Sequence, residues 1–147
     1  MYGPNHPDRT KLNNQIREWN ANRLDLFEIS EPNEYLEYYG VMRFFYQGDD
    51  LKYQTKCLRV SSTATTQDLI EAVVIKFHPD MKMLNNDRYA LYESHNLQDR
   101  KMKDNEHPLI VQLNWAFDDK DGKFILKNES RRRRSTDELI YRAGQSV

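Results

Sequence analysis

A change in hydrophobic period between residues 38 and 77 constrains the fold of this chain more than any other feature. Apolar residues alternate with a period of two from Tyr38 to Tyr46 and again from Thr55 to Val60, which is typical of strands with one buried face. The intervening Gln47–Asp50 run has turn chemistry, so the two strands are predicted to form a hairpin. From Thr66 to about Phe77 the period becomes three to four residues, which predicts an amphipathic helix.

The same patterns predict which side chains face the interior. On the first strand Met42, Phe44 and Tyr46 share one face, and on the second strand Leu58 and Val60 share the matching face. The residues of the second strand that are expected to face outward are Thr55, Cys57 and Arg59.

The central helix has a start signal and a stop signal of its own. Thr65 and Asp68 have the spacing of a capping box, and Pro79 after His78 is expected to end the helix. A hairpin leaves one apolar face uncovered, and an amphipathic helix that lies across the sheet can bury that face.

Four further strands are predicted: Arg88–Ser94, a short strand around Met102, Leu109–Trp115 and a short last strand at Phe124–Leu126. The Leu109–Trp115 run is apolar enough to be central in the sheet. The resulting order indicates an α+β fold of the ubiquitin-like β-grasp type, ββαββ(α)β, with an additional N-terminal helix.

The N-terminal helix is predicted at Lys11–Asn22, where Leu12, Ile16 and Trp19 form one apolar stripe. The expected organisation is a flexible N-terminus (1–10), the helix and a connector (11–37), one domain (38–130) and a basic, disordered tail (131–147).

Composition limits what such a chain can do. The 147 residues are 38% hydrophobic and 12% aromatic, which is sufficient for one packed core. The net charge of -1 provides no overall attraction to nucleic acid. No apolar run is long enough to span a bilayer, and Met1–Arg9 does not resemble a secretory signal. The single Cys57 cannot form an internal disulfide, so a reducing, cytoplasmic compartment is expected.

No set of residues in the sequence indicates an enzyme, so we expect no catalytic residues, cofactor or metal site. The histidines are scattered, and none lies at a metal-ligand spacing from another histidine or from Cys57: they are His6, His78, His95 and His107. The five glycines are dispersed and form no phosphate-binding loop. The acidic run at residues 118–122 lacks the ligand pattern of a calcium loop, and a turn is the better interpretation.

Several uninterrupted blocks of the sequence resemble the first Ras-association domain of the afadin/Canoe family and the segment before it. The blocks are Trp19–Ser30, Gly40–Phe44, Thr55–Thr66, Pro79–Met81 and Pro108–Trp115. The resemblance covers roughly residues 11–129. Members of this family are scaffold proteins at cell–cell junctions, which implies a cytoplasmic location at adherens junctions and a link to the actin cytoskeleton.

The resemblance implies a non-enzymatic module that binds the GTP-bound form of a Rap- or Ras-type small GTPase. Ras-association domains pair their second strand with the switch I strand, and here that edge would be Tyr53–Arg59. GTP orders switch I, so GTP and magnesium would belong to the partner. The chain alone is expected to be monomeric. The alternative is a β-grasp adaptor that binds no GTPase, because fold does not decide function.

The effector region of Ras-type GTPases is rich in Asp and Glu, so the receiving surface should be basic. The resemblance places the family's basic positions at Arg43, Lys56 and Lys76, on one rim of the domain. The complete set of residues expected at the interface is Arg43, Thr55, Lys56, Cys57, Leu58, Arg59 and Lys76. The alternative for any one of these charges is an ordinary solvated side chain.

Two other segments have more than one interpretation. The N-terminal helix packs through its apolar stripe, and the resemblance hints that Gln15, Arg17, Asn22 and Arg23 extend the GTPase interface. In the tail, Ser135 and Thr136 follow four arginines and are possible phosphorylation sites. The alternatives for the arginine run are a nuclear-import patch, a contact with anionic lipid, or a solvated segment.

Overall fold

The computed structural model describes residues 2–22, 27–47, 52–78, 89–116, 119 and 121–129. The elements are α1 (Pro7–Asn22), β1 (Tyr39–Gln47), β2 (Tyr53–Ser61), α2 (Thr66–Phe77), β3 (Tyr89–His95), β4 (Gln98–Lys101), α3 (Pro108–Leu113) and β5 (Lys123–Asn128). The five strands form one sheet in the order β2-β1-β5-β3-β4. Only the β1–β5 pair is parallel. The chain has the predicted α+β, ubiquitin-like fold with an N-terminal helix.

The predicted hairpin is confirmed. β1 and β2 pair antiparallel, from Tyr39 opposite Ser61 to Gln47 opposite Tyr53. Phe44 is fully buried and Val60 nearly so, as the alternation predicts. Because side chains alternate along a strand, the sheet has one face covered by helices and one face that we call the open face.

The predicted boundaries of α2 agree with the structure, as does its cap. The Thr65 hydroxyl accepts a hydrogen bond from Asp68 N (3.2 Å), and Asp68 Oδ2 accepts one from Thr65 N (3.0 Å). This capping box satisfies two backbone donors that the first helical turn would otherwise leave unpaired. α2 contacts β2, β3 and β5 and so covers one face of the sheet.

β3 and β4 form a second hairpin through a two-residue turn. His95 pairs with Gln98, and the intervening Asn96 and Leu97 have φ of 51° and 66°. Positive φ at both turn residues is the geometry that matches the twist of a tight hairpin. β4 ends directly before the buried Met102, near which the short strand is predicted.

The prediction of a central strand at Leu109–Trp115 is wrong. Pro108 begins α3, which buries Leu109, Gln112 and Leu113 on one side. A short apolar run fits a strand and a buried helix equally well, and proline at a first helical position favours the helix. The central strand is β5, which lies between β1 and β3 and extends beyond the short strand predicted at Phe124–Leu126.

The N-terminal helix is confirmed, and it begins four residues earlier than predicted, at Pro7. Ile16 is buried in the core, and Leu12 and Trp19 pack against the core. The side chain of Asn20 both accepts from Ile29 N (2.8 Å) and donates to Ile29 O (3.0 Å). Ile29 in turn forms a bridge with Gly40 of β1, so α1 is anchored to the sheet.

Within the described part of the chain, no helix combines the length and the hydropathy that a membrane span requires.

Candidate functional site

β2 lies at one edge of the sheet. Its nine residues all pair with β1, and the other side of β2 has no strand partner among the described residues. The outward N–H and C=O groups of an edge strand can pair with a strand from another protein. The sheet order therefore supports the use of Tyr53–Arg59 as a binding edge.

The register of the hairpin assigns each side chain of β2 to a face. Lys56 is opposite the buried Phe44, so its side chain is on the helix-covered face, where it is exposed. Leu58, two residues on, packs partly buried against the core. Cys57 is opposite Arg43, so both are on the open face, and each is half-buried.

Two further residues of β2 lie on the open face and are exposed. Thr55 is opposite Phe45. Arg59 is opposite Val41, and its guanidinium lies 4.7 Å from the ring centroid of Tyr39. Tyr39 was not predicted from the sequence as part of this surface. It lies diagonally across from Arg59 in the hairpin, so counting the hairpin register from the turn would have found it.

Lys76 is exposed on the last turn of α2. The start of α2 contacts the loop after β4, because Gln67 N donates to Asp104 O (3.3 Å) and Thr66 Oγ1 donates to Glu106 O (3.1 Å). Lys76 lies at the other end of the helix, and α2 also contacts β2.

The predicted cations are thus divided between the two faces of the sheet. Lys56 and Lys76 are on the helix-covered face, and Arg43 and Arg59 are on the open face. A strand that pairs with β2 would therefore have cations on both of its sides, whereas the resemblance implied that Arg43, Lys56 and Lys76 lie on one rim.

The electrostatic setting of Lys56 and Lys76 differs from that of Arg100, Lys101 and Lys127. Ion pairs join Arg100 to Glu93 (2.8 Å), Lys101 to Glu129 (2.7 Å) and Lys127 to Asp99. In the part of the chain that the structure describes, no carboxylate pairs with Lys56 or with Lys76. Lys56 on β2 and Lys76 on α2 therefore present positive charge that no described carboxylate neutralises and that an acidic partner could neutralise.

The N-terminal helix residues that were predicted to extend the interface have different settings. Gln15 Nε2 donates to Asn114 Oδ1 (2.8 Å), so the amide of Gln15 joins α1 to the end of α3. Asn22 Nδ2 donates to Glu18 O (2.8 Å) within α1. Arg17 is exposed. Arg23, Ser135, Thr136 and the arginine run at 131–134 lie outside the described residues, so their predicted roles stay predictions.

The described residues contain no group of three or more His, Cys, Asp or Glu side chains that could hold a metal ion. The half-buried Cys57 is the only cysteine of the chain.

Comparison with known proteins agrees with this geometry. The family model described as Ras association (RalGDS/AF-6) domain matches residues 39–131, which include all five strands. The chain is also similar to a solved structure described as the Rasip1 RA domain, with 21% sequence identity, a TM-score of 0.49, and coverage of 65% of this chain and 93% of that chain. The narrower resemblance to the afadin/Canoe family stays a prediction. The chain belongs to the Ras association domain family.

Proposed function

We propose that this chain is a non-enzymatic effector module that binds the GTP-bound form of a Rap- or Ras-type small GTPase through β2. Ras association domains are interaction modules that bind small GTPases, and the nucleotide and its magnesium ion would belong to the partner. The observation that carries the proposal is the coincidence of an edge strand with Lys56 and Lys76, which have no carboxylate partner among the described residues.

The two kinds of contact have separate roles in this proposal. Main-chain hydrogen bonds from the outer side of β2 give affinity to any extended strand that reaches the edge. Lys56 and Lys76 on one face, and Arg43 and Arg59 on the other, select a strand with acidic neighbours and raise the association rate. Nucleotide dependence follows because GTP orders the switch strand that must pair with β2.

A calorimetric titration of the chain with Rap- and Ras-type GTPases, each in the GDP form and in a non-hydrolysable GTP-analogue form, tests this proposal. Binding is expected only for the GTP-analogue form. Lys56→Glu is expected to weaken binding by roughly tenfold or more, because like charges placed together across an interface are costly. Lys103→Glu is the matched control, since Lys103 is an exposed lysine in the loop after β4.

Equal binding of the GDP and GTP-analogue forms would contradict the effector function. The same holds for an equal loss of affinity in Lys56→Glu and Lys103→Glu, which would indicate a general effect of charge. Absence of binding to both GTPases would leave the alternative of a β-grasp adaptor with another partner.

We also propose that the chain works in the cytoplasm at adherens junctions and links the GTPase to cell adhesion and actin. This proposal rests on the afadin/Canoe resemblance of the sequence blocks described above. Imaging of the tagged protein in an epithelial monolayer tests it. Junctional enrichment that Lys56→Glu reduces is the expected result, and a uniform distribution with no response to the variant would contradict it.

A further inference from the structure

A cluster of polar side chains lies at the β3 end of the domain, far from β2 in the sheet order. Its centre is the buried Glu93 of β3, whose carboxylate has four donors. Oε1 accepts from Arg100 Nε (3.0 Å) and Nη2 (2.8 Å). Oε2 contacts Trp115 Nε1 and His95 Nε2, the latter at 3.0 Å.

The imidazole of His95 bridges this carboxylate to a second one. Its Nε2 faces Glu93, and its Nδ1 faces Asp119 Oδ2. Asp119 lies in the connection between α3 and β5, where its Oδ1 also accepts from Asp121 N (3.0 Å). The backbone N of Asn96, in the β3–β4 turn, donates to Asp121 Oδ2 (2.7 Å). The connection before β5 is thus tied to the end of β3 through side chains.

The connection also packs tightly on the ring of Trp115. A Cβ added at Gly122 would lie 2.7 Å from the Trp115 ring and 3.0 Å from His95 Cε1. His95 and Trp115 make an edge-to-face contact with ring centroids 5.0 Å apart. Only the absence of a side chain at Gly122 therefore allows the connection to lie this close to the two rings.

The bridge needs a doubly protonated imidazole. A neutral ring has one N–H donor and one lone pair, so it can donate to Glu93 or to Asp119 but not to both. The other carboxylate would then face a lone pair. Partial burial lowers the pKa of His95, but hydrogen bonds to Glu93 and Asp119 outweigh it and raise the pKa above its ordinary value.

The two carboxylates would respond differently to loss of the proton. Glu93 keeps its bonds from Arg100 and Trp115, and its side chain is 10% exposed. Asp119 is 24% exposed and is on a connecting segment, so it can turn towards water. Other charged groups at this end, among the described residues, include Glu106, which pairs with Arg100 at 2.9 Å, Asp121, and Lys123, which is opposite Ser94 in the sheet.

We propose that His95 is a protonation-dependent latch, which holds Asp119 and the neighbouring Asp121 and Gly122 against the end of β3 when it is charged and releases Asp119 when it is neutral. The cluster also contacts the N-terminal helix, because Trp115 packs against Trp19 of α1 with ring centroids 6.4 Å apart. These are the only two tryptophans of the chain, so tryptophan fluorescence reports on the surroundings of Trp19 and Trp115 alone.

Tryptophan emission of the full chain, measured from about pH 5.5 to 8.5, tests the latch. Because an imidazolium quenches a neighbouring indole, emission is expected to rise as His95 loses its proton. His95→Gln is expected to abolish this transition. Asp119→Asn is expected to lower its midpoint by about one pH unit, the effect of removing one neighbouring carboxylate. His6→Gln is the control and should leave the curve unchanged, because His6 directly precedes α1 and contacts Tyr2 and Asp8, not a tryptophan.

Hydrogen exchange measured in the same pH range distinguishes release of the connection from a change in emission alone. After correction for the intrinsic exchange rate, protection at Asp119, Asp121 and Gly122 is expected to fall with deprotonation, while protection in β1 stays constant. A transition that persists in His95→Gln would overturn the proposal. An unchanged midpoint in Asp119→Asn, or pH-independent protection at Asp119, Asp121 and Gly122, would overturn it as well, even if His95→Gln does not fold.

Discussion

Leu97 has an unfavourable backbone conformation at the tip of the β3–β4 hairpin. Its φ of 66° is in the left-handed region, and its side chain is 94% exposed. A leucine there gains nothing from packing and is strained by its own Cβ. The turn geometry requires positive φ at both central residues, so the hairpin tolerates the strain.

Leu97→Gly is expected to stabilise the domain by roughly 0.5–1 kcal/mol, since relief of the strain exceeds the entropy that glycine adds to the unfolded chain. Urea denaturation measures the change. Leu97→Ala is the matched control, because it removes the same side chain and keeps the strained Cβ. A gain of the same size in Leu97→Ala would show that the exposed side chain, and not the backbone, is responsible.

At the scale of single residues, the sequence predicted which element carries a side chain better than it predicted on which face of the sheet the side chain lies. Lys56 and Arg43 were both expected at the interface, and both lie on the β1–β2 hairpin. Their assignment to opposite faces follows from the alternation along the two strands, because Lys56 shares a face with Leu58 whereas Arg43 alternates with Met42 and Phe44. The resemblance groups the two residues on one rim and does not distinguish the faces of the sheet.

At the scale of elements, α2 shows that signals within a short segment can predict where a helix begins and ends. Its start and end at Thr66 and Phe77 agree with the prediction, because a capping box and the apolar period are both properties of a short segment. α3 shows the opposite case. Four of the five residues of Leu109–Leu113 are apolar, which fits a strand as well as a buried helix, and contacts with α1 and β1 stabilise the helix.

Thr65→Ala is expected to destabilise the domain by about 1 kcal/mol, because the backbone N–H of Asp68 loses its acceptor at the start of α2. Chemical denaturation monitored by circular dichroism measures the change. Thr63→Ala serves as the control, since the exposed Thr63 hydroxyl bonds only the Ser61 hydroxyl among the described groups. A Thr65→Ala change no larger than that of the control would show that the cap contributes little.

For the whole molecule, the Glu93–His95–Asp119 cluster predicts a maximum in the dependence of stability on pH. Burial raises the pKa of Glu93 and of Asp119, but hydrogen bonds from His95 and other donors outweigh it and lower both. Their stabilisation is present above the ordinary carboxyl range and is lost as pH falls through the lowered pKa values. The stabilisation from His95 is present below the pKa that His95 has in the unfolded chain. It is lost as pH rises through the raised pKa that His95 has in the folded chain.

The melting temperature is therefore expected to be highest between about pH 5 and 6.5 and to decline on both sides. Calorimetric scans from about pH 3 to 9 measure the profile. In His95→Gln the decline on the alkaline side should disappear, while the decline on the acid side remains. A melting temperature that rises between pH 6.5 and 8.5 in the wild type would contradict the assignment of His95.

The position of β2 at the edge of the sheet is a property of the whole molecule, and the sequence contains no direct signal for it. β2 is an edge strand because β5, almost at the end of the described chain, inserts parallel to β1 on the other side. Pairing between distant segments depends on the complete set of packed elements. Only the family resemblance indicated that β2 lies at the edge.

The most direct test of the central claim is an NMR titration of the isotopically labelled chain with an unlabelled Rap-type GTPase in its GTP-analogue form. We expect the largest amide shifts at Tyr53–Arg59 of β2, none at Gln98–Lys101 of the opposite edge strand, and no shifts with the GDP form. Shifts confined to β4 or to the helices, or shifts of equal size with both nucleotides, would contradict a GTP-dependent strand addition at β2.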